Sequence, residues 1–253
     1  MALLADTITR DRAGWYSTPA GRYPSVTKVL HEGLGAPEQL VTWATKVERE
    51  RCARLAAQAY IDAKCSNLAV PNVAAFMAQR LAGPYENKRI MNEAASKGTA
   101  VHAWIESHLG ATDAQRAAQA APDAIPAAIR VPVSAWLRWA ERVGFAAQHV
   151  EASVWSDREQ VAGRVDVIGT VEGRACVVDW KTSTAIRFSH HLQLAWYAQM
   201  ACERGMLDVP AVHCLRLPWR DGEEYEVWEA DGAVLADLVE TARAVRRVWQ
   251  AQQ

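Results

Sequence analysis

The chain has no CxxC pair. Its five cysteines, Cys52, Cys65, Cys176, Cys202 and Cys214, are scattered through 253 residues. That spacing argues against a structural zinc site and gives no reason to expect an iron–sulfur cluster. An odd count without framework spacing suits reduced thiols, and hence a cytoplasmic protein. Apolar runs of membrane-spanning length are also missing. The opening residues, MALLADTITRDRAGWY, carry charges at Asp6, Arg10, Asp11 and Arg12, so neither a signal peptide nor membrane association is expected. Basic charge is not in excess either: 28 Lys+Arg face 29 Asp+Glu, a net of −1. The chain therefore does not advertise a nucleic-acid binder, although basic patches around an acidic centre would leave the same balance. Internal repeats are absent.

What is present is an ordinary globular composition, half hydrophobic and 23% charged, with an unusual eleven tryptophans. Most of these suit core or groove packing, and one or two could stack on bases.

Residues 1–22 carry few structure signals and read as a loose arm or an edge strand. In Tyr23-Pro24-Ser25-Val26-Thr27, Pro24 sets an extended entry, and Ser25 or Thr27 could cap a short helix or turn. Helical spacing follows over 37–62, through Leu40, Trp43, Ala44, Val47, Leu55 and Ala59, with Lys46, Arg49, Arg51 and Arg54 opposite. A second helix is expected over 70–81, stopped by Gly83-Pro84. A third spans 87–109, with Ser96-Lys97-Gly98-Thr99 marking a break or restart. In it His102 and Glu106 lie one turn apart beside the apolar face. Residues 110–131 read as a loop or short helix, and 132–144 as an amphipathic helix ended by Gly144.

Then the period changes. Strands are expected at 149–155, 161–171 and 175–180, a helix at 189–204, strands at 211–217 and 225–228, and a helix at 233–250. The fold class is therefore α/β: a central mixed sheet of about five strands flanked by helices, with an N-terminal helical cap. The cap would be 1–145 and the α/β core 146–253, together forming one compact domain.

The chemistry concentrates between Gly163 and Lys181. A two-residue turn at Glu172-Gly173 pairs Val171 with Arg174, and the same register sets Asp166 opposite Asp179. Opposed residues stand about 4.5–5.5 Å apart at Cβ. Lys181 shares a strand face with Asp179, while Val165, Val167, Val178 and Trp180 would point to the other side. Two carboxylates that close repel unless a cation intervenes. A divalent ion with oxygen ligands, Mg²⁺ or Mn²⁺, is one answer, and with the lysine it could attack a phosphodiester. A surface hairpin whose acids are simply bridged by lysine is the other.

Taken together, Gly163-Arg164-Val165-Asp166, Asp179-Trp180-Lys181-Thr182-Ser183, Gln193-Leu194-Ala195-Trp196-Tyr197 and the upstream Gly98-Thr99-Ala100-Val101-His102 resemble the RecB-like branch of the PD-(D/E)xK nucleases. Pro24-Ser25-Val26-Thr27 is similar to the start of phage exonucleases related to the mitochondrial genome maintenance exonuclease. The resemblance implies a restriction-endonuclease-like core and a metal-dependent DNA exonuclease serving phage or bacterial recombination, repair or replication. A structure-specific endonuclease, or a DNA-end binding module with little turnover, are the alternatives. It implies Asp166, Asp179 and Lys181 as catalytic residues. Metal ligands would be His102, Asp166, Asp179 and the Trp180 carbonyl, with Glu151 as a further candidate. Gln193, Tyr197, Thr182, Ser25 and Thr27 would meet substrate. His190 and His191 are expected to pack or cap. Some relatives carry an iron–sulfur cluster, but the cysteine spacing here does not support one. The implied partners are single-stranded DNA or duplex ends, with a single-strand-annealing or recombination protein as a possible further one. Arg49, Arg51, Arg54 and Lys97 would line a channel for one strand.

Overall fold

The computed structural model describes residues 8–35, 38–66, 85–208 and 211–253; the helix expected over 70–81 lies outside them. The described residues divide into two compact units, one holding the chain up to Gly35 and from Gly98 onward, the other lying between Ala36 and Lys97. The division therefore does not fall near residue 145.

The larger unit begins with strands where few signals were read. β1 (Thr9–Arg10), β2 (Trp15–Thr18) and β3 (Gly21–Pro24) form a three-stranded antiparallel sheet. The region before residue 145 is thus not wholly helical. Aromatic and β-branched residues between Gly14 and Gly21 favour this hairpin. Both glycines have positive φ, at 81° and 144°. α1 (Val26–Leu34) follows, with Ser25 as N-cap: its hydroxyl accepts from Lys28 N at 3.1 Å.

In the smaller unit, α2 (Glu38–Ser66) precedes the first half of α3 (Glu86–Leu109). Along α2, Trp43, Val47, Leu55 and Ala59 are less exposed than Arg49 and Arg54, as the spacing requires. Glu48 accepts from Asn87 N at 2.8 Å and pairs with Arg51. α3 continues through Gly98 without a break.

After α3 come a short helix α4 (Asp113–Gln119), a 3-10 turn (Ala127–Ile129) and α5 (Arg130–Arg142). The core sheet is β4 (Ala146–Ser156), β5 (Val161–Val171), β6 (Arg174–Lys181), β7 (Ala211–Arg216) and β8 (Glu226–Asp231), in spatial order of sequence. Only β6 and β7 run parallel, and the crossover between them is α6 (Phe188–Glu203). α7 (Gly232–Ala251) ends the chain.

Helices cover both faces of the sheet, which explains why β5 and β6 are apolar almost throughout. One face packs on α1, α6 and α7 through Val29, Leu192, Trp196, Leu235 and Trp249. The other packs on the second half of α3 and on α5 through Val101, Ile105, Trp136 and Trp139. Trp136, Trp139, Trp180 and Trp196 are almost wholly buried, so much of the tryptophan content is core.

Candidate active site

The β5–β6 hairpin has the expected register: Val171 pairs with Arg174, and the ladder runs back to Val167–Val178. Glu172 and Gly173 both have positive φ, 50° and 76°, as a two-residue turn matched to strand twist requires. The ladder stops one pair short of Asp166 and Asp179. Instead, Asp166 Oδ2 accepts from the Trp180 amide at 3.2 Å, and β6 passes to its parallel partner, pairing Asp179 with Cys214. The acids therefore sit where two strands begin to part.

The same point is irregular on the β4 side. Val150 pairs with Val167 and Ala152 with Val165, but Glu151, opposite Asp166, is left out and has φ of +52°. This is an uncommon conformation for glutamate, and it turns the strand face over. Val165 consequently packs with the core on the α6 face, while Val167 packs with the core on the opposite face. The expectation that Val165 shares a side with Val167, Val178 and Trp180 is corrected by this twist. Strict alternation holds in β6, where Val178 and Trp180 share one core and Val177 faces the other.

Around the parting strands the structure gathers four elements. Asp179 is 2% exposed, and its Oδ2 lies 2.6 Å from Lys181 Nζ. This ion pair is the close contact of the buried oxygen. From α3, His102 Nδ1 stands 3.5 Å from Asp166 Oδ1. Glu151 Oε2 is 2.5 Å from Arg164 Nε.

The electrostatics follow from too many acids for one lysine. Burial pushes Asp179 up to about 6, with Lys181 opposing and Asp166 adding to the rise. Burial alone would lower Lys181, but the charges of Asp179 and Asp166 outweigh it and raise it. The two directions agree: one ammonium is shared between two carboxylates, and the more buried acid is undercompensated. His102 is likewise lowered by burial but raised overall by Asp166 beside it. Burial raises Glu151 despite Arg164.

The glycines of the site are spacers. A Cβ on Gly163 would lie 2.4 Å from Tyr197 Cε1, and one on Gly98 would lie 2.8 Å from Thr182 Oγ1. Gly163 thus lets β5 meet α6 where Gln193 Nε2 donates to the Tyr197 hydroxyl at 2.9 Å. Gly163→Ala is expected to cost about 1–3 kcal/mol through overpacking. In thermal melts, the loss should shrink when Tyr197→Leu is added, because the two residues share one space.

Other expected site residues have structural occupations. Ser25 is buried and caps α1, with Thr27 Oγ1 3.1 Å from its hydroxyl. The Thr182 carbonyl accepts from Trp219 Nε1 at 2.8 Å. His190 Nδ1 accepts from the Arg187 amide, capping α6, and its pKa is pushed down to about 3 by burial, then by Lys181 and Arg187. His191 stacks on Trp228 at 3.8 Å. Arg164, and the strained backbone of Glu151, were not singled out from sequence; only the position of Arg164 inside the G-x-x-D run hinted at it.

Among the described residues, no three His, Cys, Asp or Glu side chains are drawn together into a ready coordination shell. The chemistry nevertheless fits a hard divalent cation. Such an ion needs only one or two carboxylates and keeps several waters, and here two carboxylates, Asp166 and Asp179, have one ammonium between them.

The chain belongs to the PD-(D/E)XK nuclease superfamily, whose family model matches residues 73–251. No curated protein matches it significantly. Among solved structures, that of a candidate exonuclease from Eubacterium rectale matches with a TM-score of 0.41 and 11% identity, covering 62% of this chain and 69% of that one. The protein SSO0001 matches with a TM-score of 0.25 and 14% identity, covering 53% and 68%. Likenesses this distant carry no argument about function.

Proposed function

We propose that this nuclease is a divalent-metal-dependent exonuclease of the RecB-like branch that hydrolyses DNA phosphodiester bonds. The observation that carries the reading is the buried Asp179–Lys181 pair at the point where β5 and β6 part, with Asp166 and His102 beside it. Asp166, Asp179, His102 and the Trp180 carbonyl would hold Mg²⁺ or Mn²⁺, with Glu151 as a further acid. When bound, the ion would supply Lewis-acid stabilisation of the phosphate and an acidified water. Lys181, charged between two carboxylates, would steady the negative charge that develops on the phosphate oxygens. Gln193 and Tyr197 brace β5 against α6 and so hold Asp166 in place.

The helical motifs with Gly98, His102, Gln193 and Tyr197 favour the exonuclease mode over an endonuclease. Work in recombination or repair, in phage or bacteria, would follow from that mode. The test is the product ladder from 5′- and 3′-labelled DNA, with free or blocked ends, in Mg²⁺ or Mn²⁺. Short products that require a free end are expected. Cleavage of closed circles at internal sites would replace the exonuclease reading with an endonuclease. Persistent binding without products in either metal would refute the assignment of an active enzyme.

A further inference from the structure

A small cleft lies away from the acids, at the corner where the N-terminal sheet meets α7. Its volume is about 210 Å³, and its walls include Trp15, Arg22, Tyr23, Gln160, Arg246 and Trp249. Two of its walls are indoles, with ring centroids 6.2 Å apart and tilted by 53°. The Trp249 ring is fixed by its N–H, which donates to Glu32 Oε2 at 2.7 Å. Arg22 lies over the Trp15 ring at 5.0 Å and is already paired with Asp11.

Arg246 is different. Its Nε is buried without a hydrogen-bond partner. Its two terminal nitrogens reach only neutral amides, Gln250 Oε1 at 3.3 Å and Gln160 Oε1 at 3.4 Å. Among the described residues no carboxylate stands within 4.0 Å of it. The nearest acid by charge, Glu159, is taken by Arg243 at 2.8 Å. A buried donor without an acceptor is costly, and a planar guanidinium with free donors suits a phosphate. The volume lies below the roughly 300–1,000 Å³ of a site for a whole small-molecule ligand, which favours one nucleotide unit of a longer strand.

We propose that this cleft is a second DNA-binding subsite, in which Arg246 holds a backbone phosphate of the strand being cleaved and Trp15 walls the cleft beside it. The proposal rests on the nuclease reading above. Gln160 immediately precedes β5, and Asp166 is six residues further along. At about 3.3 Å per residue the separation along the strand is roughly 20 Å. An extended single strand would cover that distance with only a few nucleotides.

The test is fluorescence anisotropy with labelled oligothymidylates in EDTA, where cleavage is prevented, using Arg246→Gln and Trp15→Leu. A dinucleotide probe is too short to bridge the two places, and probes of about twelve nucleotides are long enough. Arg246→Gln should weaken the longer probe about tenfold and lower the slope of log affinity against log salt by about one, leaving the short probe unchanged. Trp15→Leu should weaken the longer probe without altering the slope. In Mg²⁺, KM for long DNA should rise in the Arg246 variant with kcat unchanged. Arg246→Lys, which keeps the charge, should retain the salt slope, separating lost charge from lost folding. Unchanged affinity and slope for the longer probe, or an equal loss for both probes, overturns the subsite. Absence of cleavage by the unmodified protein would instead overturn the nuclease reading, a separate result.

Discussion

Lys181→Met is expected to lower DNA cleavage by at least about 10²–10³-fold, the usual cost of removing one charge-stabilising donor from an active site. Binding of DNA should change much less, so the loss should appear in kcat. The argument is positional. Lys181 follows Asp179 by two residues on a regular strand, so both side chains leave the same face. Its Nζ is 2.6 Å from Asp179 Oδ2, and its side chain is only 18% exposed. Its own carbonyl accepts from Leu217 N at 2.8 Å, which ties the backbone at the end of β6. A lysine held this way carries its charge to a fixed place. Methionine keeps much of the stem and deletes the charge, but it leaves two carboxylates less compensated. The comparison therefore needs a melt in Mg²⁺ beside the assay. A folded, inactive variant supports the role, and a folded, fully active one removes Lys181 from the chemistry. Lys181→Arg should also lose most turnover, because a planar guanidinium cannot take the place of a compact ammonium.

The parts of this site that were legible in sequence are those set by local rules. A two-residue turn fixes register, so Glu172-Gly173 sufficed to pair Val171 with Arg174 and to bring the two acids to neighbouring strands. The helical spacing and the Gly144 stop located α5, and the switch from helical to alternating period located the sheet. What was not legible depends on partners distant in sequence. The β5 ladder ends before Asp166 while β6 goes on pairing along its other edge with β7, more than thirty residues later. Glu151 has positive φ where β4 and β5 turn over together, and nothing in the residue type announces it. The reversal of Val165 follows from that twist. Residues 1–22 read as a loose arm or an edge strand, and the structure makes Trp15–Thr18 the middle strand of a three-stranded sheet. Ser25 was legible as a cap, and the structure gives it that work.

Asp179→Asn should abolish cleavage and, in EDTA, raise the melting temperature. The first half follows from losing an anionic oxygen at the centre of the site. The second follows from the charge balance of the protein without metal. Asp179 is 2% exposed and shares one lysine with Asp166. Burial raises its pKa from 3.8 to about 6, so the ionised form is less welcome in the folded chain than in the unfolded one. The sign is fixed by that direction. A carboxyl whose folded pKa is raised favours folding when protonated, and that advantage is lost as pH rises from below 3.8 through about 6. At neutral pH the ionised group therefore opposes folding, and asparagine removes the opposition while keeping the shape and leaving Asp166 to balance Lys181. For a chain of this size each kcal/mol gained is about 2–4 °C in melting temperature. The gain should shrink toward pH 5, where the native carboxyl is itself protonated in the fold. It should also shrink in Mg²⁺ if the ion binds the native protein more tightly than the variant. An Asp179→Asn variant that melts lower than the native protein in EDTA at neutral pH would mean that the Lys181 ion pair outweighs the cost of burial. The site would then hold its acids for stability as much as for cleavage, against the usual exchange of stability for activity.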